Sequence, residues 1–140
     1  MSVDKKQVRV RIESESAQQK IVQNVDGELY SKGDHYYVRY AEPDPEMGRT
    51  MTTLRLDPRS VRIIRHGDVA SEQMFTAGEE HVSPYATAHG TLEIKTRTDQ
   101  LHFQLSEGLG TVRWTYRLTV SGEDAGLYSL TLTIQEAHPE

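Results

Sequence analysis

Cysteine is absent from the 140 residues, which excludes disulfides and thiolate metal sites and fits a reducing compartment. No run of about 18 apolar residues occurs, and the opening stretch MSVDKKQVRVRIES lacks the apolar core of a secretory signal. The expected setting is therefore the cytoplasm, with no membrane partner. Lysines and arginines are scattered singly in a chain of formal net charge −5. Without a basic stripe to neutralise phosphates, nucleic acid is excluded as a partner. No segment sustains a three-to-four-residue apolar period, so no amphipathic helix is expected. There is no glycine-rich phosphate loop, and Ser83 lies outside any nucleophile-elbow context. The six histidines, at 35, 66, 81, 89, 102 and 138, include no pair at a metal-ligand spacing, so no metal site is expected. His81 and His89 flank an irregular segment around Pro84, which leaves a histidine site as a minor reading. Haem would need an inward axial histidine; His89 is the only loosely placed candidate, and no cofactor is expected.

What the chain does have is alternation. Val112, Trp114, Tyr116, Leu118 and Val120 share one side of an extended strand, and Thr111, Arg113, Thr115, Arg117 and Thr119 share the other. Period two marks a half-buried strand. After a turn at SGEDAG the pattern returns in Tyr128, Leu130, Leu132 and Ile134. Upstream, Val8, Val10 and Ile12 alternate with Arg9, Arg11 and Glu13. QQKIVQNVDGELYSKG, interrupted by Gly27, reads as a bent or bulged strand. HYYVRYAE is a third strand, and EPDPEMG, with two prolines and a glycine, is a loop. TMTTLRL, SVRIIRH and VASEQMFT follow as strands. Pro84 predicts an edge or a bulge, and a short helical turn is expected within 74–83. Thr91–Thr96 and Leu101–Leu105 read as a hairpin turning at Thr98-Asp99.

This is an all-β chain of eight to ten short strands in a single domain, 1–140, long enough to bury roughly two thirds of its unfolded surface. An open sheet of that size exposes edges. Closure into a single antiparallel up-and-down β-barrel of the calycin or lipocalin type removes them, although a β-sandwich would bury the same faces. A barrel of about eight strands holds packed side chains or one small ligand.

The inward faces carry polar residues that an apolar core does not need. If Tyr36, Val38 and Tyr40 point inward, Glu42 follows on the same face, and Arg65 follows Val61 and Ile63 by the same parity. Neither charge is stable unpaired in an apolar interior, because desolvation costs several kcal/mol per ion. A Glu42–Arg65 pair near one barrel end relieves that cost. Thr52, Tyr85, Thr87 and Thr96 fall on or near the same register. Two readings of this cluster stand side by side: a buried ion pair that fixes strand register, and a set of tyrosines, guanidinium and carboxylate that orients a small ligand in the barrel mouth. The candidate ligand-binding residues are Tyr36, Tyr40, Glu42, Arg65, Tyr85 and Thr87, with no catalytic residue assigned. An acid/base enzyme using Glu42 is the least supported reading. A scaffold that pairs through its outer wall or an unclosed edge near Pro84, with a partner protein or as a homodimer, is the alternative.

The order of a tyrosine-rich strand ending in acid (YYVRYAE), a threonine-bearing strand (TMTTLRL), Arg65 and Gly67, Met74-Phe75, Tyr85 with Thr87, Gly90 and Thr96 resembles the YwiB-like family of Gram-positive bacteria. These are small cytoplasmic calycin-like β-barrels with no established activity. The likeness runs from Val8 to Glu136. It implies the barrel, and it implies that Tyr40, Glu42, Arg65, Tyr85 and Thr87 are the family's polar positions.

Overall fold

The computed structural model describes residues 5–137. Ten strands run in chain order: β1 (Lys5–Ser16), β2 (Lys20–Lys32), β3 (His35–Ala41), β4 (Thr50–Leu56), β5 (Ser60–Gly67), β6 (Ala70–Thr76), β7 (Glu80–Thr87), β8 (Gly90–Ser106), β9 (Leu109–Val120) and β10 (Glu123–Glu136). One turn of 3-10 helix, Pro45–Met47, interrupts the β3–β4 connection. Each strand pairs antiparallel with its chain neighbours, and β1 closes the barrel against β10, from Val8↔Glu136 to Ser16↔Tyr128. Closure leaves no free sheet end, which is the physical reason for the architecture. The connections at 17–19, 42–49, 68–69, 88–89 and 121–122 gather at one end, called here the mouth. Those at 33–34, 57–59, 77–79 and 107–108 gather at the other.

Alternation places the core as expected. Val112 and Trp114 on β9, Leu132 and Ile134 on β10, Val8 and Val10 on β1, and Leu54, Leu56 and Val61 on β4 and β5 are all buried. Phe75 lies between two aromatic rings of β9, with centroids 5.2 Å from Trp114 and 4.9 Å from Tyr116. Tyr116 in turn stacks on Tyr128 at 5.6 Å. Tilted and stacked contacts of this kind add about 0.5–1.5 kcal/mol each beyond area burial. They join β6 to β9 and β10 across the interior.

Four local expectations are corrected. The turn expected at Thr98-Asp99 is a β-bulge: β8 runs unbroken, its register against β9 slips between Thr98 and Gln100, and Asp99 is extruded. A bulge and a turn share the same polar signature over two residues, and only the pairing tells them apart. The helical turn expected within 74–83 is the end of β6, a tight turn at 77–79 and the start of β7; Gly78 N–H donates to Thr98 O at 2.8 Å. The turn expected over SGEDAG is confined to Ser121-Gly122, and the rest joins β10 with a register shift between Asp124 and Gly126. Gly27 marks no bulge in the β1–β2 ladder, which is continuous through Val8↔Gly27. A Cβ at Gly27 would lie 2.9 Å from Arg39 O, so glycine there lets two backbones approach. Pro84, by contrast, has an edge-like setting. It pairs with Glu93 of β8, while β6 and β7 are joined only through Ala70↔Ala86 and Ser71↔Tyr85. A residue without an N–H is tolerated where its other side meets no ladder.

The end opposite the mouth is held by a polar cluster. Arg55 Nε donates to Asp57 Oδ1 at 3.0 Å, Ser60 Oγ donates to Asp57 Oδ2 at 3.0 Å, and His35 Nδ1 meets the same carboxylate. Burial opposes ionisation of Asp57, but hydrogen bonds from Arg55 and Ser60 and the charges of Arg55 and His35 outweigh it, so its pKa lies below the ordinary 3.8. A depressed carboxylate stabilises the fold above its unfolded-state pKa, and that contribution is lost as pH falls through the folded value. Urea titration of the wild type and Asp57→Asn should show the variant less stable at pH 7 by about 1–2 kcal/mol. The gap should shrink steadily below pH 3.8; a gap independent of pH would mean that the charge contributes nothing.

Candidate functional site

One cross-strand row carries the polar cluster. Tyr40 pairs with Thr52, Thr52 with Arg65, Arg65 with Ser71, and Ser71 with Tyr85. Directly paired residues share a face, with Cβ atoms about 4.5–5.5 Å apart, so the five side chains form a band across β3 to β7 at a single level. Glu42 lies two residues beyond Tyr40, and its N–H donates to Thr50 O at 2.9 Å, which carries it inward past the end of β3.

Within the band the charges are paired. Arg65 Nε lies 3.5 Å from Glu42 Oε2, and the side chains retain 18% and 6% of their accessible surface respectively. Thr52, fully buried, donates its hydroxyl to the same carboxylate oxygen. Arg65 Nη1 donates to Gln73 Oε1 at 3.2 Å. Burial, followed by the negative charge of Glu42, pushes the Tyr40 phenol far above its ordinary value; Arg65 and Thr52 only partly oppose this. Tyr40 is therefore a neutral hydroxyl throughout the physiological range. Burial and then Tyr128 push Tyr116 up to about 12, and the positive charge of Arg65 reaches far enough across the barrel to oppose that rise. Several buried polar atoms lack a protein partner: Arg65 Nε makes no aligned hydrogen bond, and Ser71 Oγ, Thr98 Oγ1 and Trp114 Nε1 make none at all.

The structure brings together four of the six residues singled out from the sequence: Tyr40, Glu42, Arg65 and Tyr85. Tyr36 shares their face but belongs to a different row, Tyr36↔Leu56↔Val61↔Phe75, which is apolar. Four residues of extended chain, about 13 Å, separate it from Tyr40, and it lies against Gly108 at the far end. Thr87 is at the mouth but is engaged in the β7–β8 turn, donating to Gly90 O at 3.1 Å and accepting from His89 N–H at 3.1 Å. Ser71 and Gln73 were missed, because small or amide polar residues on a strand carry no signal until their register is known. His81 and His89 do not approach one another; they lie at the start of β7 and beyond its end. His89 is exposed on a turn, and His102 faces outward. His138 lies outside the described residues. Among the described residues no group of three or more His, Asp or Glu is placed to hold a metal.

Two loops roof the band. Asp44 caps the 3-10 turn by accepting from Glu46 N–H at 2.9 Å. Thr50 Oγ1 donates to Met47 O at 2.5 Å and accepts from Val69 N–H at 3.1 Å. Asp68 N–H donates to Arg49 O at 3.0 Å, and Asp68 Oδ2 accepts from Arg49 N–H at 2.9 Å. Gly67 makes this junction feasible: its φ is +133°, and a Cβ there would lie 2.0 Å from Arg49 O. Met47 reaches Tyr85, whose hydroxyl contacts Sδ at 3.7 Å. A cleft of about 610 Å³ opens between these loops and the β7–β8 turn, lined by Asp44, Met47, Asp68, Tyr85, Thr87 and His89 among others. That volume is within the range of small-molecule sites.

A closed ten-stranded antiparallel barrel with one inward polar band beneath a roofed mouth defines the class. The chain belongs to the family described as domain of unknown function DUF1934, whose model matches residues 7–132. It is 28% identical over 128 residues to the uncharacterised β-barrel protein YwiB of Bacillus subtilis strain 168, covering 91% of this chain and 89% of that protein. The crystal structure of the B. subtilis protein superposes with a TM-score of 0.79 at 22% identity, over 97% of this chain and 96% of the other. The fold and family expected from the sequence are thereby established. No helix among the described residues is long and apolar enough to cross a membrane.

Proposed function

We propose that this barrel binds one small polar molecule at its mouth, in the manner of lipocalin-type barrels, and performs no chemistry on it. One observation carries the reading: a cleft of about 610 Å³ reaches Tyr85, the last member of a band whose next residue, Ser71, presents a buried hydroxyl with no protein partner. Unpartnered buried polar atoms are rare because each costs about 1–3 kcal/mol, and they mark places where water or a ligand completes the bonding. The lack of cysteine supports a cytoplasmic setting for such binding.

A thermal-shift screen of small polar metabolites tests the reading. A ligand at one hundred times its Kd stabilises by about 2.7 kcal/mol, which for a domain of this size raises Tm by several degrees. Tyr85→Phe should reduce the shift while leaving the Tm of the free protein unchanged. If no compound raises Tm, binding at the mouth is refuted.

The second reading is architectural. It is favoured by the pairing of Glu42 with Arg65 and Thr52 and by the large side chains, Trp114 and Phe75, that fill the barrel below. On that reading the pair fixes strand register and contacts are made by the outer wall, with a partner protein or a second copy. Light scattering that shows a dimer, together with an empty thermal screen, would favour it.

A further inference from the structure

Closure holds around the waist of the barrel but not along the whole of every strand. β8 pairs with β7 only from Gly90 to Arg97, whereas its pairing with β9 continues to Ser106↔Leu109. Thr98 is the last residue bonded on the β7 side, its N–H donating to Glu79 O at 3.0 Å and its carbonyl accepting from Gly78 N–H at 2.8 Å. Beyond the bulge at Asp99, the edge of 100–106 that faces away from β9 meets no backbone partner among the described residues. β2 overhangs as well, since its pairing with β3 reaches only to Glu28, but Lys20 and Asp26 stand on that overhang. The loosely joined seam between β6 and β7 carries Glu72, Glu80 and Pro84. Charge and proline on an edge are the usual guards against a further strand. The segment QLHFQLS at 100–106 has no lysine, arginine, carboxylate or proline.

The hairpin that ends β8 fixes which backbone groups are free. Glu107 and Gly108 both have positive φ, +53° and +82°, the signature of a two-residue type I′ turn. Such a turn is closed by a hydrogen-bonded pair, here Ser106↔Leu109. Alternation then points the N–H and C=O of His102 and Gln104 at β9 and leaves those of Leu101, Phe103 and Leu105 on the open edge. The same three residues carry their side chains inward, partly buried against the core. A Cβ at Gly108 would lie 2.8 Å from the Tyr36 ring and 3.0 Å from Leu29, so the hairpin end is seated on β2 and β3 and the edge is held extended. A cleft of about 390 Å³, lined by Leu101, Phe103, Pro58, Thr76 and Ala77 among others, runs between this edge and the turns at 57–59 and 77–79. An added strand would bond to the three edge residues and set its alternate side chains in that cleft.

The edge is complementary to itself. Antiparallel pairing about a two-fold axis at Phe103 sets Phe103 against its counterpart and Leu101 against Leu105 of the second copy, and brings Gln100 opposite Ser106 and His102 opposite Gln104. Every free N–H and C=O of the three residues then has a partner, apolar meets apolar on the inner face, and no charge faces another within the segment. Moving the axis to His102 would instead set Leu105 against Asp99. Asp99 and Glu107 fall opposite one another just beyond the ends of the Phe103-centred pairing, which keeps the association weak.

We propose that this chain forms a two-fold symmetric dimer through the open edge of β8, with 101–105 paired antiparallel to the same residues of a second copy. The edge lies at the end opposite the mouth, so the dimer does not depend on what the mouth binds.

One strand pair and its flanking side chains make a small interface, so the Kd should be about 10–100 μM. Sedimentation at loading concentrations from about 1 to about 500 μM, which bracket that Kd, should show the average mass rising from that of the monomer towards twice that mass. His102 and Gln104 are exposed, so substitutions there leave the monomer folded, as circular dichroism would verify. His102→Lys combined with Gln104→Lys places like charges opposite one another twice and should weaken the dimer at least about tenfold. His102→Glu combined with Gln104→Lys places opposite charges there and should tighten it by about two- to tenfold. About an axis at His102 the same change would set glutamate against glutamate and loosen it. Hydrogen exchange followed by NMR should slow at the Leu101, Phe103 and Leu105 amides as concentration rises, while the His102 and Gln104 amides, already bonded to β9, stay slow throughout.

A chain still monomeric at the highest concentration, a dimer unmoved by the double-lysine variant, a dimer loosened by the glutamate–lysine variant, or edge amides that exchange as fast in the dimer as in the monomer would each overturn the proposal. Shielding of those amides only by an added foreign peptide would overturn it too, because the edge would then take a foreign strand and not its own copy.

Discussion

Arg65→Met is expected to destabilise the barrel by about 3 kcal/mol, and Glu42→Leu by a similar amount. The double variant should recover most of that loss. The asymmetry follows from burial: Glu42 keeps 6% of its side-chain surface and Arg65 18%, so removing either partner strands the other in a poorly solvated place. The cost is that of an uncompensated charge rather than of a lost attraction. The remaining exposure of Arg65 holds the figure to the lower end of the range for buried pairs. Replacing both ends with apolar side chains of similar volume removes the desolvation penalty along with the attraction. Thr52 complicates the exchange, because its buried hydroxyl donates to Glu42. Thr52→Val in the double-variant background should therefore add stability, since it removes a donor that would otherwise be unpaired. Urea denaturation of the four proteins gives the coupling directly. Losses that simply add would show that the pair contributes no interaction and that the two residues act separately.

The same pair shows how far parity reasoning reaches in this chain. Alternation alone placed Tyr40, Glu42 and Arg65 inside, because a strand with one apolar face leaves no choice about which side a residue two positions along must take. It could not rank residues along the barrel axis. Tyr36 and Tyr40 share a face and a strand, yet one joins the apolar row with Phe75 and the other the polar row with Arg65. Telling them apart requires the registers of three further ladders, which depend on loop lengths and bulges. Thr87 lines the cleft, but its hydroxyl is also held locally, in a way alternation does not reveal: a threonine two residues before a turn amide competes for that amide, as the bond from His89 N–H shows. Ser71 was illegible because serine on a strand reads as a wet-face residue. Its place opposite Arg65 is what makes its unpartnered hydroxyl informative. The bulge at Asp99 was misread as a turn because the polar dipeptide is common to both, and the cost was one strand counted as two.

Trp114→Ala is expected to remove about 3–5 kcal/mol, against a total of about 5–15 kcal/mol for a typical domain. Tm should fall by roughly 10 °C or more. Trp114 is fully buried and is the largest such side chain in the barrel. On β9 it is paired with Leu130 on one side and Leu101 on the other, and its ring meets Phe75 at 5.2 Å. Those contacts link three consecutive strands to β6 across the interior. The alanine variant loses the transfer free energy of the indole and leaves a void that a hydrogen-bonded cylinder cannot easily close, since each strand is fixed on both sides by its ladders. Trp114→Phe separates the packing from the polar atom. The indole Nε1–H has no partner, so phenylalanine gives up volume but also removes an unsatisfied donor, and its net cost should be only about 1 kcal/mol. Because this is the only tryptophan in the chain, unfolding of both variants has to be followed by far-ultraviolet circular dichroism rather than indole fluorescence. A phenylalanine variant as damaged as the alanine variant would mean that the N–H is bonded in solution, by a water held inside the barrel. The donors of the polar band would then have to be counted again with that water among their partners.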